Sequence, residues 1–321
     1  MLSRYRSTGA DLPFMDPCGY HGVAMEGYFW RITHVASRTV LVVLAGVNRD
    51  GGGDTWGTVG LAAHPGGFSR SVAVDEAFAA SRGVGVWAGE NERTSLRAAE
   101  RSLAVDLGPD ARLEVCFDDA FCWPAGAFGG IGAAQAIPGL SQYWHPHLLG
   151  ATVRGHARIG EREIDLDGAT IYAEKNWGRG GFPPAWWWGQ AQGFEREDVC
   201  VAFAGGRAGV GRLQALSTAL VVRVGDEVVR AVRPLHPMRV DVGTRGWRLQ
   251  ARTARHTIEL EGQSNGTPPH ALPIPLAAQR RNLEGAAAQY LASEVRIVVR
   301  RGRRTLFSGS SALAGLERGS S

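Results

Sequence analysis

Short runs of β-branched and other apolar residues, separated by glycine, extend along most of the chain and restrict the folds open to it. The 321 residues include 44 glycines, which are scattered and form no repeat. Such runs are typical of strands joined by tight turns and predict an all-β protein. Strands are predicted at residues 38–47, 59–63, 112–117, 151–159, 199–203, 218–224, 228–232, 247–252, 257–261 and 295–299.

Few segments suggest anything other than strand. Turns are predicted at residues 160–163 and 225–227, each beginning with glycine. Residues 95–103 and 284–292 carry the best helical patterns, and both segments are short. We therefore expect few short helices.

The middle of the chain separates two groups of predicted strands. Residues 125–139 are rich in glycine and alanine without periodicity, and residues 178–184 form a second break. A chain of this length suits two domains. We expect two antiparallel β-barrels or sandwiches packed together, spanning residues 1–165 and 166–321.

Basic residues outnumber acidic ones only slightly, at 35 to 31. Five arginines lie within residues 296–304, where valine and isoleucine alternate with them. A nucleic-acid surface would combine such a cluster with exposed aromatic rings for stacking. We interpret the cluster as an edge strand whose charges block edge pairing, and we expect no nucleic-acid partner.

Cysteine spacing and the distribution of apolar residues bear on metal binding and location. The four cysteines, Cys18, Cys116, Cys122 and Cys200, form no Cys-x-x-Cys pair, so we expect no metal site and free thiols. No apolar segment follows the first residues, and no run reaches the roughly 18 apolar residues that span a bilayer. We expect a cytoplasmic protein without stable membrane insertion.

Lys175 is the only lysine among the 35 basic residues, and it lies in a Tyr-Ala-Glu-Lys-Asn-Trp-Gly segment. On a strand, Tyr172, Glu174 and Asn176 share one face, while Lys175 and Trp177 occupy the other. Glu174 and Asn176 are then a candidate acid and an orienting amide. Lys175 is a candidate catalytic ammonium, an ion-pair partner between domains, or a lysine that survived by chance.

Glu26 is a second candidate acid. On a strand, Glu26, Tyr28, Trp30 and Ile32 share one face, which surrounds a carboxyl group with aromatic rings. Burial there raises the pKa of a carboxyl group and allows it to donate a proton near neutral pH. The alternative is a structural tie to an arginine such as Arg31 or to a backbone amide.

The Trp-His-Pro-His segment places Trp144 and His145 on extended backbone before a proline. His145 is a structural histidine, a pocket hydrogen-bonding group or an acid–base group. Metal binding with His147 lacks a third ligand by spacing, so no metal is expected.

Half of the ten tryptophans lie between residues 144 and 188. On a strand, Trp186, Trp188, Gln190 and Gln192 line one face. Indole rings provide apolar walls for a ligand and attract cations, or they fill a core between domains. The candidate substrate-binding residues are Tyr28, Trp30, Trp144, Tyr172, Trp177, Trp186, Trp188 and Gln190.

Motifs for common cofactors are absent. The sequence contains no phosphate loop, Gly-x-Ser-x-Gly elbow or His-Glu-x-x-His motif. Residues 205–211 are glycine-rich, but no helical pattern follows, so we predict a loop between strands and not a dinucleotide site. No cofactor is expected.

Several of these segments together resemble the tocopherol cyclase family. The resemblance is carried by the segments Gly19-Tyr20-His21, Glu26-Gly27-Tyr28-Phe29-Trp30, Trp144-His145-Pro146, Tyr172-Ala173-Glu174-Lys175-Asn176-Trp177-Gly178, Phe182-Pro183 and Trp186-Trp187-Trp188, and more weakly by Pro273-Ile274-Pro275 and Ser311-Ala312-Leu313-Ala314-Gly315-Leu316-Glu317.

The resemblance implies a pair of lipocalin-like, calycin-type barrels and a cyclisation without a cofactor. In tocopherol cyclases a proton is added to an alkene of a prenylated hydroquinone, and the phenol oxygen closes on the tertiary cation to give a chromanol. By likeness, this chain is expected to close a ring on a hydrophobic unsaturated molecule in natural-product biosynthesis, as an intramolecular lyase or isomerase.

Two other functions remain open at this point. The protein could act as a Diels–Alder-type cyclase by shaping its substrate, or as a non-catalytic carrier of a hydrophobic ligand. The expected partner in each case is a hydrophobic small molecule, such as a prenylated aromatic compound, a polyene or a polyketide-derived compound. A homodimer is a further expectation.

Overall fold

The structure is a computed structural model that describes residues 10, 12–14, 24–49, 54–80, 85–90, 93–124, 127–179, 182–210, 213–274 and 279–320. Cys18, Pro275 and the Gly19-Tyr20-His21 motif lie outside the described residues. Within the described ranges the chain folds into β-strands and one short 3-10 helix, η1, at Gly132–Ala136. The all-β prediction is confirmed.

Thirteen strands form the first sheet, in the order β4-β3-β2-β1-β13-β11-β9-β8-β7-β6-β5, with β10 paired to β13 and β12 paired to β11. Their bounds are β1 Met25–His34, β2 Thr39–Arg49, β3 Thr55–His64, β4 Phe68–Val74, β5 Glu76–Ala79, β6 Val86–Glu90, β7 Arg93–Ala99, β8 Ser102–Asp106, β9 Ala111–Asp118, β10 Gln142–Leu148, β11 Thr152–Ile159, β12 Arg162–Asp165 and β13 Thr170–Gly178.

Ten strands form the second sheet, in the order β17-β16-β15-β14-β23-β22-β20-β19-β18, with β21 paired to β22. Their bounds are β14 Trp186–Ala191, β15 Val199–Val210, β16 Leu213–Val224, β17 Glu227–Arg233, β18 Met238–Val242, β19 Gly246–Arg252, β20 His256–Gln263, β21 His270–Pro273, β22 Gly285–Arg301 and β23 Arg304–Gly319. The chain passes from one sheet to the other between β13 and β14, and the 165/166 domain boundary stays a prediction.

Eight of the ten predicted strands lie within strands of the structure, and the predictions at 38–47 and 151–159 begin one residue before β2 and β11. Turns occur at Gly160 and Gly225 as expected. Both predicted helices are wrong, because residues 95–103 form parts of β7 and β8, and residues 284–292 lie mainly in β22. The predicted loop at residues 205–211 is also wrong through Val210, which ends β15.

Arg296, Arg300 and Arg301 of the arginine cluster lie on β22, which is an internal strand, and Arg304 begins β23. β22 is hydrogen-bonded to β20 on one side and to β23 on the other, so the edge-strand interpretation is wrong. Its arginines instead form ion pairs with acids on other strands, such as Arg300 with Glu259 at 2.9 Å. The alternation of arginine with apolar residues reflects one solvated face and one buried face.

Each sheet encloses its own apolar core, and further apolar clusters lie between the sheets. The core of the first sheet includes Leu41 and Leu113, and that of the second includes Phe203 and Leu249. The clusters between the sheets combine residues of both, including Val42, Tyr172, Trp186, Trp188, Ala202, Leu272 and Leu313.

Arg31 is a buried cation at this junction. It is fully buried, and its guanidinium donates to Gln190 Oε1 at 3.1 Å and to the backbone oxygens of Leu291, at 2.7 Å, and Leu313. Burial lowers the pKa of its guanidinium to about 9. These bonds connect β1 of the first sheet to β14, β22 and β23 of the second.

Candidate active site

The register of β1 against β13 divides the candidate residues between two faces of the first sheet. Tyr28 lies opposite Lys175, and Phe29 lies opposite Glu174. Because residues directly opposite each other on paired strands point to the same side, Glu26, Tyr28, Trp30, Lys175 and Trp177 share one face. Glu174, Asn176 and Tyr172 occupy the other, as the alternation predicts.

The face that carries Glu174 looks toward the second sheet, and a cavity of about 150 Å³ lies there. Both sheets contribute to its walls, which are mainly aromatic and aliphatic. The lining residues include Phe29, Trp144, Glu174, Asn176, Phe182, Trp186, Trp188, Gln289 and Glu317. A largely apolar cavity with a few converging polar groups is the usual form of a small-molecule site.

Glu174 is held in the cavity wall by neutral hydrogen-bond donors. The Tyr172 hydroxyl donates to its Oε2 at 2.5 Å. The Trp188 indole N–H lies 2.9 Å from both carboxyl oxygens. The Trp144 indole approaches the same carboxyl group, but its N–H does not reach hydrogen-bonding geometry.

Burial gives Glu174 an unusual acidity. Its side chain is only 4% exposed, and desolvation raises its pKa to about 7. The hydrogen bonds from Tyr172 and Trp188 oppose this rise, whereas the nearby charge of Glu317 adds to it. A carboxyl group with such a pKa is protonated in about half of the molecules at pH 7 and can donate that proton to a bound molecule.

Glu317 is a second carboxyl group in the same cavity, contributed by β23. It accepts a 2.7 Å hydrogen bond from Trp186 Nε1 and a 2.8 Å hydrogen bond from Gln289 Nε2. Burial raises its pKa as well. The cavity therefore contains two carboxyl groups, and a different tryptophan of β14 binds each one.

Two glycines of β23 make room for these tryptophans. Gly315 and Gly319 flank Glu317 at intervals of two residues and therefore lie on its face of the strand. A Cβ atom at position 319 would lie 1.7 Å from the Trp186 ring, and one at position 315 would lie 3.0 Å from the Trp188 ring. The indole rings thus lie directly against the glycine backbone, which positions their N–H groups.

Asn176 lies at the half-buried end of the cavity wall. Its Oδ1 accepts a 3.3 Å hydrogen bond from Gln142 Nε2. A Cβ atom on Gly27, the residue opposite, would lie 2.8 Å from Asn176 Oδ1, so the amide lies flat across β1. This places an amide near Glu174, as expected for an orienting group.

Five of the predicted site residues line the cavity from its own face: Trp144, Glu174, Asn176, Trp186 and Trp188. Tyr28 also borders it along β1, although its side chain packs in the core of the first sheet. Tyr172 is fully buried and contacts Glu174 through its hydroxyl group. Gln190 is directed to Arg31 and the Cys200 sulfur instead of the cavity. The remaining predicted residues, Glu26, Trp30, His145, Lys175 and Trp177, do not line it.

These remaining residues belong to the interior face of the first sheet. Glu26 accepts a hydrogen bond from the Tyr28 hydroxyl, and the Lys175 ammonium lies 4.9 Å from the centre of the Trp177 ring. His145 contacts the edge of Trp123, at 5.4 Å between ring centres. Alternation along β1 turns the Glu26 carboxyl group to the face opposite Glu174, and Glu26 as an acid stays a prediction. Arg31 lies on the other face of β1 from Glu26 and donates to residues of the second sheet, so a structural tie of Glu26 does not involve Arg31.

Glu317 and Gln289 are cavity residues that sequence patterns did not identify. Gln289 lies in a segment predicted to be helical, so the two-residue alternation of a strand was not applied to it. Glu317 is preceded and followed at two-residue intervals by glycine, and this Gly-x-Glu-x-Gly pattern is the local signal that could have indicated it.

In the described residues no cluster of three or more His, Cys, Asp or Glu side chains could hold a metal ion. No helix there is long and apolar enough to cross a membrane.

Comparisons with known proteins relate this chain to cyclases. Residues 131–320 match the sequence model of the family described as tocopherol cyclase-like. Two plant proteins match 135 residues: "Probable tocopherol cyclase, chloroplastic" of Oryza sativa subsp. japonica at 26% identity, and "Tocopherol cyclase, chloroplastic" of Zea mays at 25%. Each match covers 40% of this chain and 28% of the plant protein, so the chain matches less than a third of their length.

A solved structure extends the likeness of fold to nearly the whole chain. The crystal structure of CghA matches with a TM-score of 0.61 at 11% identity, covering 93% of this chain and 88% of CghA. At this identity the match concerns the lipocalin-like two-barrel fold alone. Since the family model covers more than half of the chain, this protein belongs to the tocopherol cyclase-like family.

Proposed function

We propose that this protein is a cyclase that protonates an alkene of a hydrophobic small molecule and closes a ring, with Glu174 as the acid. One observation carries the proposal: a carboxyl group with a pKa of about 7 is buried in a cavity walled by indole and phenyl rings. Membership of the tocopherol cyclase-like family supports the same class of reaction.

The proposed reaction needs no group beyond those of the cavity and the substrate. Glu174 transfers its proton to the less substituted carbon of a trisubstituted alkene, which leaves a tertiary cation. A hydroxyl oxygen of the same molecule then forms the new C–O bond and loses its proton. The product is an isomer of the substrate, so atoms and charge balance.

The walls of the cavity suit a cationic intermediate. Trp188 lies edge-on to Phe29 with ring centres 4.9 Å apart, and Trp186 contacts Phe182 at 5.0 Å. The faces of such rings attract cations, and apolar walls keep out the water that would trap the cation as an alcohol. Asn176 is positioned to orient a polar end of the substrate.

The experiment uses a prenylated hydroquinone in D2O and follows the product by mass spectrometry and NMR. Wild-type protein is expected to give a chromanol with one deuterium on the carbon next to the new C–O carbon. Glu174→Gln is expected to lower the rate by 100-fold or more, the usual contribution of general acid catalysis.

Two further variants distinguish the alternatives. Glu26→Gln tests the other predicted acid and is expected to retain activity, because Glu26 lies on the opposite face of β1. Glu294→Gln changes an exposed carboxyl group of β22 in the same way and serves as the control. Full activity of Glu174→Gln would refute the acid assignment, a product without deuterium would favour closure by substrate shaping, and an unchanged ligand would favour a carrier.

A further inference from the structure

The cavity contains a carboxyl group that the proposed proton donation does not use. Glu317 is 9% exposed, compared with 4% for Glu174, and it belongs to the other sheet. Its two hydrogen bonds come from the neutral N–H groups of Trp186 and Gln289, so no positive charge neutralises it among its hydrogen-bond donors. We expect a buried carboxyl group in this arrangement to have a function.

The two carboxyl groups face the cavity a short distance apart. Trp188 binds Glu174 and Trp186 binds Glu317, and these tryptophans are two residues apart on β14. Two residues of an extended strand span about 6–7 Å. Both tryptophans therefore bring a carboxyl group to the same cavity, near enough for the charge of Glu317 to raise the pKa of Glu174.

Both groups cannot easily be ionised together. Each negative charge disfavours the other, and the charge of Glu317 contributes to the raised pKa of Glu174. A pair in this situation keeps one proton and divides the roles of acid and base between its members. Glu317 is the more exposed of the two and therefore the better candidate for the ionised form.

We infer that Glu317 is a second catalytic group, a carboxylate that takes the proton of the substrate hydroxyl as its oxygen closes the ring. This inference rests on the proposed function. It goes beyond that proposal by assigning the acceptor of the second proton.

The two proton transfers balance. Glu174 gives its proton to the alkene carbon, and the phenol oxygen uses a lone pair to form the C–O bond. The O–H bond breaks with its electron pair left on oxygen, and the proton goes to Glu317. After product release, proton exchange with solvent restores a protonated Glu174 and an ionised Glu317.

The test compares Glu317→Gln with the exposed control Glu294→Gln, using prenylhydroquinone in D2O. Without the acceptor, the cation still forms through Glu174 but returns to alkene by losing a proton to it. We expect ring closure to fall by 100-fold or more while deuterium enters the recovered alkene at no less than the wild-type rate.

Two results would overturn the inference. If Glu317→Gln closes the ring at the rate of the control, Glu317 is not the proton acceptor. If ring closure and alkene deuteration fall in parallel, Glu317 contributes to proton donation or to the fold instead. Glu174→Gln distinguishes a failure of this inference from a failure of the proposed function, because that variant is expected to lose both ring closure and alkene deuteration. Full activity of Glu174→Gln would refute the proposed function whatever the result for Glu317→Gln.

A methylated probe and a second variant complete the test. The phenol methyl ether has no proton to give, so wild type and Glu317→Gln should deuterate its alkene at equal rates once each rate is divided by the fraction of protonated Glu174. Unequal corrected rates would contradict the inference. If Glu317→Gln does not fold, Gln289→Met removes a donor to the carboxylate instead. It should slow closure of the phenol without slowing deuteration of the ether, and unchanged closure would overturn the assignment.

Discussion

Replacing Glu174 with glutamine should remove much of the pH dependence of stability. The carboxyl pKa lies near 7 in the folded protein, compared with the ordinary value of 4.5. Such a difference corresponds to about 3 kcal/mol of free energy. Because Glu174 is only 4% exposed, solvent screening does not reduce this value much.

The sign follows from the direction of the shift. The folded protein holds the Glu174 proton more tightly than the unfolded chain does, so the contribution is complete below pH 4.5. It is lost as the pH rises through 7. Between pH 5 and 8 the wild-type free energy of unfolding should fall by about 2.5 kcal/mol through this group.

The assay is urea unfolding followed by tryptophan fluorescence at several pH values from 5 to 8. Glu174→Gln should lose stability less steeply than wild type, and Glu317 should supply the dependence that remains, because its pKa is also raised. Parallel profiles for the two proteins would refute the reasoning. Ring closure should fall in the same window, since the acid acts only while protonated.

Four other predictions test separate parts of the site. Tyr172→Phe removes a donor that favours the ionised form of Glu174, so the fall of activity should move to higher pH in a pH–rate profile. Gly319→Ala places a Cβ within the Trp186 ring, and we expect slower closure and a lower Tm. Arg31→Met leaves two buried carbonyls without their donor and should cost at least about 2 kcal/mol in chemical unfolding. An amine that mimics the tertiary cation should inhibit closure about tenfold more strongly than its neutral carbon analogue.

The fold was predictable because β-rich runs and glycine turns are local signals. The errors arose where packing overrides local preference. Alanine favours helix in isolation, yet the alanines of residues 286–288 lie in β22, where they pack against neighbouring strands. Similarly, alternating arginine and valine indicates a strand with one solvent-exposed face. Nothing in that pattern distinguishes an internal strand from an edge strand.

The site was predictable only in part, for a geometric reason. Alternation correctly separated Glu174 from Lys175 and grouped Glu26 with Tyr28. It could not tell which face of β1 or β13 turns toward the second sheet, because that depends on how the two sheets pack. Glu317 enters the cavity from β23, far away in sequence, so only the assembled fold brings the two carboxyl groups together.

The most direct measurement of the central idea is the protonation state of Glu174 itself. Infrared difference spectroscopy of wild type against Glu174→Gln isolates the C=O stretch of its protonated carboxyl group during a titration from pH 4 to 9. A protonated buried acid predicts that this band persists to neutral pH and disappears with a midpoint near 7. Disappearance of the band near pH 4.5, the ordinary range of glutamic acid, would contradict the account.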